Sequence, residues 1–207
     1  MIRTILILLT TVFSFQVFSS EPAVLDLIRQ KYNSLTTIQA QIDMTLYWSV
    51  REREEKKSGK LAVGPGEKFR IDLGAETLVS DGVTYWQYSK KNSQVIIKNL
   101  RDIDLSWHPS KLLSSFLTGY SYKEKEKSDS ETVLFWNTDN KNSDSFYTDI
   151  TVTAESKSGI VKKLRLTDHN GNVHTYIFKK TVFGAKIPAE VFRFDIPDEV
   201  QVHDDRQ

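Results

Sequence analysis

The 207-residue chain contains no cysteine. That excludes a disulfide framework, thiolate metal ligands and a cysteine nucleophile. It also excludes a lipid attached to the chain at a cysteine, so the protein is not itself a bacterial lipoprotein. Charge of one sign is lacking too: 28 Lys+Arg against 27 Asp+Glu leave a formal net charge of +1. This argues against a nucleic-acid binder that works by bulk electrostatics. Long hydrophobic runs are absent apart from one at the amino terminus. There Arg3 precedes an apolar stretch from Ile5 to Phe18, and Val17 and Ser19 offer small residues at −3 and −1. Met1–Ser19 reads as a cleaved signal peptide, because about 14 apolar residues fall short of the roughly 20 that span a bilayer. Its removal leaves residues 20–207 as a single exported domain, soluble and without an anchor, of roughly 37% apolar composition.

Glu21–Leu35 reads as a helix. Pro22 suits the first turn, and Val24, Leu25, Ile28, Tyr32 and Leu35 share one face. From Ile38 the period changes to two: Ile38, Ala40, Ile42, Met44, Leu46 and Trp48 alternate with mostly polar residues, as in a long half-buried strand. The charged run Arg51–Lys57 reads as a solvated hairpin loop, with a docking patch as the alternative. Gly59–Val63 and Phe69–Leu73 follow around a Pro65-Gly66 turn. Glu76–Ser80 and Val83–Tyr88 flank Asp81-Gly82, a strong hairpin signal in which Asp81 and Gly82 serve the turn. After Val95–Lys98 the rhythm breaks at His108-Pro109-Ser110, where Lys111–Leu117 reads as a short helix striped by Leu112, Leu113, Phe116 and Leu117. Further strands are expected at Gly119–Tyr122, Val133–Trp136, Phe146–Thr153, Ile160–Thr167, Val173–Thr181 and Val191–Asp195. The sum is one mainly β domain of about ten or eleven strands with a few short helices.

Signatures of chemistry are few. His169 and His174 straddle the Asn170-Gly171 turn, and no third ligand can be placed for a metal. There is no glycine-rich phosphate loop and no Gly-x-Ser-x-Gly elbow. Acidic residues are plentiful, which leaves an exported hydrolase open, but no catalytic pair stands out. Trp48, Trp86, Trp107 and Trp136 fit core or pocket lining better than base stacking. An alternating sheet must cover its apolar face. A filled face is a core, whereas an unfilled one is a site for an apolar ligand.

The string Leu78-Val-Ser-Asp-Gly-Val-Thr-Tyr-Trp-Gln-Tyr88 resembles the pattern L-V-S-D-G-x-x-x-W-x-Y of the LolA family, periplasmic carriers of outer-membrane lipoproteins. Three more matches lie in order along the chain. They are Leu35, Ile38, Ala40 and Ile42; then Gly59, Leu61, Val63, Pro65 and Phe69; and finally Phe192, Phe194, Pro197, Val200, Val202, Asp204 and Asp205. The resemblance implies an unclosed antiparallel β-barrel, here of about 11 strands, whose hydrophobic cavity is capped by a helical lid. It implies a carrier without a cofactor, likewise without a metal or catalytic residues. Such a carrier takes acylated lipoproteins from an inner-membrane ABC transporter and passes them to an outer-membrane acceptor lipoprotein, and it is expected to be monomeric. On this basis the acyl chains would lie against Ile42, Met44, Leu46, Leu61, Val63, Phe69, Ile71 and Trp86, under a lid carrying Ile28, Tyr32, Leu112, Leu113 and Phe116. One departure stands out. Many family members carry a basic residue before the Pro of the turn after the second strand, where an Arg helps close the lid. This chain has Val63-Gly64-Pro65-Gly66, and Arg70 does not replace it. The alternative is a LolA-like binder or sensor of another lipid or glycolipid.

Overall fold

The computed structural model describes residues 23–33, 37–103, 105, 122–137 and 146–206. The helix α1 spans Ala23–Asn33. The strands are β1 Ile38–Trp48, β2 Arg53–Val63, β3 Lys68–Asp72, β4 Glu76–Asp81, β5 Thr84–Ser89, β6 Gln94–Asn99, β7 Tyr122–Lys127, β8 Glu131–Asn137, β9 Tyr147–Glu155, β10 Val161–Asp168, β11 Val173–Phe183 and β12 Gln201–Asp204. They form one sheet in the order β12-β6-β5-β4-β3-β2-β1-β11-β10-β9-β8-β7. β12 and β7 lie at opposite ends of this order, so the sheet is unclosed. Every neighbouring pair is antiparallel except β12 with β6.

The middle of the sheet joins the two ends of the chain. β1 pairs β2 on one side, with Ile42 opposite Gly59, and β11 on the other, with Ile42 opposite Phe178. From that seam one meander runs outward through β6 and another through β7. Side chains alternate between the two faces along each strand, so the pairing rows decide which residues share a face. One face collects Ile38, Ala40 and Ile42 of β1, Leu61 and Val63 of β2, and Phe69 and Ile71 of β3. It continues with Leu134 and Trp136 of β8, Ile150 and Val152 of β9, Leu164 and Leu166 of β10, and Tyr176 of β11. All are buried. Val24, Leu25 and Ile28 of α1 pack into the same cluster. This is the helix-bearing face.

The opposite face has its own smaller cluster. Val79, Val95 and Ile97 are buried there together with Phe192, apart from the cluster under α1. Their cover is the chain itself. After β11, Gly184 donates its N–H to the Thr37 carbonyl and the Thr37 hydroxyl donates to the Ala185 carbonyl. Residues 184–200 then cross β3 and β4, with a 3-10 turn at Ala189–Phe192, and Phe194 stacks at 5.8 Å on Tyr88. The strap ends as β12 beside β6, seven strand spacings from β11, or roughly 34 Å.

Three expectations are corrected. The charged run is not a loop: from Arg53 onward it is strand, paired along the full length of β1, and the connection is only Ser49–Glu52. Cross-strand and same-strand ion pairs hold it, with Lys57 Nζ at 3.1 Å from Glu55 and 2.9 Å from Glu76. Val191–Asp195 is not a strand but part of the strap, and the last strand lies later, at Gln201–Asp204. Finally, β7 runs from Tyr122 on to Lys127, whereas the expected strand was Gly119–Tyr122, whose residues 119–121 lie outside the described residues; the 12 strands of the sheet agree with the expected number of about 11. The remaining expected hairpins occur within a residue or two. The expected helix Lys111–Leu117 and the leader Met1–Ser19 lie outside the described residues.

The Asp81-Gly82 turn is built as its residues require. Asp81 Oδ1 accepts the N–H groups of Val83 at 2.9 Å and Thr84 at 2.8 Å. Gly82 has φ +97, and a Cβ there would lie 2.4 Å from the Gly66 carbonyl oxygen.

Candidate functional site

The helix-bearing face is a large apolar surface that the fold assembles from distant segments. Its floor comes from both meanders, and α1 covers one end of it. Helix and sheet are tied by the Tyr32 hydroxyl, which accepts the Val161 N–H at 3.1 Å, and by the Tyr32 ring set edge-on to Phe183 at 5.6 Å. Burial of that hydroxyl pushes the Tyr32 pKa up to about 12. The β9–β10 turn lies directly against the helix backbone. A Cβ on Gly159, whose φ is +67, would sit 2.6 Å from the Leu27 carbonyl carbon. This glycine therefore sets how closely helix and sheet approach.

Away from the helix the face loosens. Along β1 the inward row runs from Ile38, Ala40 and Ile42, all buried, through Met44 and Leu46, both half-buried, to Trp48, 39% exposed. Leu78 of β4, Tyr122 of β7 and Phe178 of β11 are half-buried against the same cluster. A polar rim borders it on the β2 and β4 side, where Lys57 Nζ lies 3.0 and 2.9 Å from the two Glu76 oxygens. Burial pushes the nearby Tyr85 hydroxyl pKa up, and the charge of Glu76 adds to that. An apolar floor with a charged rim holds hydrocarbon in place while keeping the edge wetted.

The expected site residues divide by register. Ile42, Leu61, Val63, Phe69 and Ile71 lie together on the helix-bearing face and are buried; Met44 and Leu46 extend that face at its looser end. Ile28 and Tyr32 lie on α1 over it. Trp86 does not join them. Val79 pairs both Arg70 and Trp86, whereas Phe69 pairs Ser80, which pairs Tyr85. Trp86 therefore belongs to the strap-bearing face, and the residue of β5 turned toward the floor is Tyr85, whose ring lies 6.2 Å from that of Phe69. Leu112, Leu113 and Phe116 lie outside the described residues. The expectations missed the second half of the floor, from Leu134 and Trp136 to Leu166 and Tyr176. The alternation in Val133–Trp136, Ile150–Val152 and Leu164–Leu166 carries that signal.

The missing arginine acquires a local cause. Gly64 is buried, and a Cβ there would lie 2.8 Å from two ring carbons of Phe192. Position 64 thus faces the strap, with no room for a side chain.

Other features are weaker as sites. A shallow groove of about 490 Å³ on the opposite face is lined by Thr151, Thr153, Lys163 and Arg165 together with Glu126 and Glu131. Both glutamates are exposed. Among the described residues no cluster of His, Asp and Glu could hold a metal ion, and no helix is long and apolar enough to cross a membrane.

Comparison with known proteins agrees with this layout. Residues 33–195 match the family model described as outer membrane lipoprotein carrier protein LolA. The chain is 23% identical over 208 residues to the outer-membrane lipoprotein carrier protein of Haemophilus ducreyi, covering 99% of this chain and 96% of that one. An uncharacterized conserved protein from Thermus thermophilus has a similar fold, with a TM-score of 0.55 at 13% identity, over 87% of this chain and 96% of that one. A LolA superfamily protein from Nitrosomonas europaea aligns with a TM-score of 0.42 at 10% identity, over 83% and 96% of the two chains.

Proposed function

The chain belongs to the LolA family of outer membrane lipoprotein carrier proteins, and on that premise we propose that it is a periplasmic carrier that shields the acyl chains of lipoproteins in transit between membranes. The observation that carries this reading is the helix-bearing face: a continuous apolar floor, covered by α1 at one end and leaving Met44, Leu46, Tyr122 and Phe178 half-buried beyond it. Each CH₂ moved from lipid into water costs about 0.8 kcal/mol, so acyl chains cross an aqueous compartment only when sheltered. The shelter must offset most of that cost, yet less than the acceptor does, or cargo would not leave. Parting the helix from the sheet changes the apolar area offered to the chains and hence the affinity. In this reading the cargo is received from an inner-membrane ABC transporter and delivered to an outer-membrane acceptor lipoprotein. The carrier works as a monomer, without cofactor and without catalysing a reaction.

Gly64 supports a second reading. With Phe192 packed where a basic side chain would stand, lid closure cannot use an arginine at that position. The same face then also suits another acylated molecule, such as a free lipid or a glycolipid.

Mass spectrometry of material co-purified from the native host separates the two. Acylated amino-terminal peptides of lipoproteins are the expected ligands, and free lipid or glycolipid alone would establish the second reading. In parallel, depletion of the protein should leave outer-membrane lipoproteins in the inner membrane. Unchanged sorting together with a ligand-free protein would overturn both.

A further inference from the structure

The looser end of the helix-bearing face contains one polar atom that the fold leaves unused. Trp136 is fully buried, and its Nε1 has no hydrogen-bond acceptor among the described residues. An indole nitrogen is a donor only. A buried donor without a partner is costly, and few survive in a folded protein unless something outside the chain meets them. Register places Trp136 in a single row across the floor, from Tyr122 through Ile150, Leu166 and His174 to Leu46. That row lies at the end remote from α1, because the residue of β8 nearest the helix end is Thr132, opposite Ala154, which in turn pairs Val161 under Tyr32. The donor thus sits in the row remote from α1, fully buried with Ile150 and Leu166 and flanked by the half-buried Tyr122, and from there Leu134, Val152 and Leu164 lead toward the helix.

We propose that the Trp136 indole N–H receives the carbonyl oxygen of an ester-linked acyl chain. This orients cargo with its glycerol end at the Leu46–Tyr122 row and its methyl end under α1. The inference rests on the carrier reading and adds to it a chemical selectivity: acyl esters over hydrocarbon of the same length. The nitrogen is shielded in this structure, so entry of the ester requires its neighbours to part. The half-buried Tyr122 ring, 5.8 Å from the Trp136 ring, is the adjoining side chain at the sheet edge.

The test compares dioctanoyl phosphatidylglycerol with its dioctyl ether isostere, which keeps the chains and headgroup but lacks both carbonyls. Displacement of a fluorescent fatty-acyl probe from the full mature protein gives the two affinities. The expected result is a preference for the ester of about five- to tenfold, the worth of one well-placed hydrogen bond. Trp136→Phe should abolish that preference by weakening ester binding while leaving ether binding unchanged. In parallel, the Trp136 indole proton resonance should move downfield with the ester and stay in place with the ether, a readout that needs no variant to fold. Equal affinities of the wild type for the two lipids, or a preference that survives Trp136→Phe, would overturn the anchor while leaving the carrier reading intact. If neither lipid displaces the probe, the carrier reading falls, and the anchor with it.

Discussion

On one face of the sheet an 11-residue helix lies over the ends of β9, β10 and β11 and leaves Met44, Leu46, Tyr122 and Phe178 half-buried beyond it. On the other face the strap brings Phe192 and Phe194 against Gly64, β3, β4 and Tyr88 of β5, the face where Val79, Val95 and Ile97 are buried. Both faces carry alternating apolar rows, and both are covered by the chain's own ends. They differ in attachment. The strap is pinned by backbone hydrogen bonds at both ends, at Thr37 and along β6. α1 rests on side-chain contacts, among them its apolar stripe, the Tyr32 hydroxyl on Val161, Lys31 over the Phe183 ring and the Gly159 contact. A cover held by backbone hydrogen bonds on a strand edge is permanent. One held by an apolar stripe can exchange its contacts for those of a ligand with similar chemistry. The difference teaches that burial alone does not identify a binding face; how the cover is fastened does.

Four perturbations test that contrast. The largest effect is expected from Phe192→Ala, which empties the strap-face cluster and should cost about 3–5 kcal/mol in denaturant unfolding. Acyl-probe binding by the folded fraction should not change, and a loss of binding in protein that remains folded would show that the faces are coupled. Gly64→Arg puts a basic residue before Pro65 but drives it into Phe192. It should destabilise by about 1–3 kcal/mol, read from thermal melts, without tightening ligand retention. Leu46→Ala acts on the other face. Because the side chain is only half-buried, stability should change little, whereas acyl-probe affinity should fall about tenfold for the methylenes removed from the floor. The smallest effect appears only in alkali. Burial holds the Tyr32 hydroxyl neutral up to about 12, whereas in the unfolded chain a tyrosine ionises near 10. Between these values the unfolded chain releases the proton and the folded one keeps it, so stability falls as pH rises. The contribution is complete below pH 10 and lost beyond 12. Unfolding measured across that range should show a shallower decline in Tyr32→Phe, whatever its offset at neutral pH.

Much of the architecture is legible in the residues because alternation is a local property. Ile38 to Trp48 places β1 to the residue, and Ile42, Leu61, Phe69 and Ile71 fall on one face as their polarity requires. Trp86 escapes because phase does not carry through a turn. The pairing of Ser80 with Tyr85 around Asp81-Gly82 is what fixes its face, and a large aromatic by itself is compatible with either side. β7 is mostly invisible because its residues beyond Tyr122, Lys-Glu-Lys-Glu-Lys, carry no apolar alternation. It is the outermost strand, with a bulge between Glu124 and Glu126. Charges and a bulge there protect an open edge against pairing with other chains. The strap misleads in the opposite way. Phe192-Arg193-Phe194 alternates like a strand, but it buries its rings against the back of a sheet rather than joining it. The unpaired Trp136 nitrogen has no signature in sequence at all, since a lone tryptophan in an apolar run reads as core.

The seam between β1 and β11 has a consequence in time as well as in space. Gln41 faces Lys179, and Ile42 faces Phe178, across more than half the chain length, so the middle of the sheet becomes available only late in synthesis, with the β12–β6 pair later still. The strap must then cross back to β6 before the second face is closed. Native topology of such high contact order folds slowly, on the millisecond-to-second scale. A chain emerging in order from its amino terminus has no early route to the finished sheet, and so it stays threadable until nearly all of it has been made.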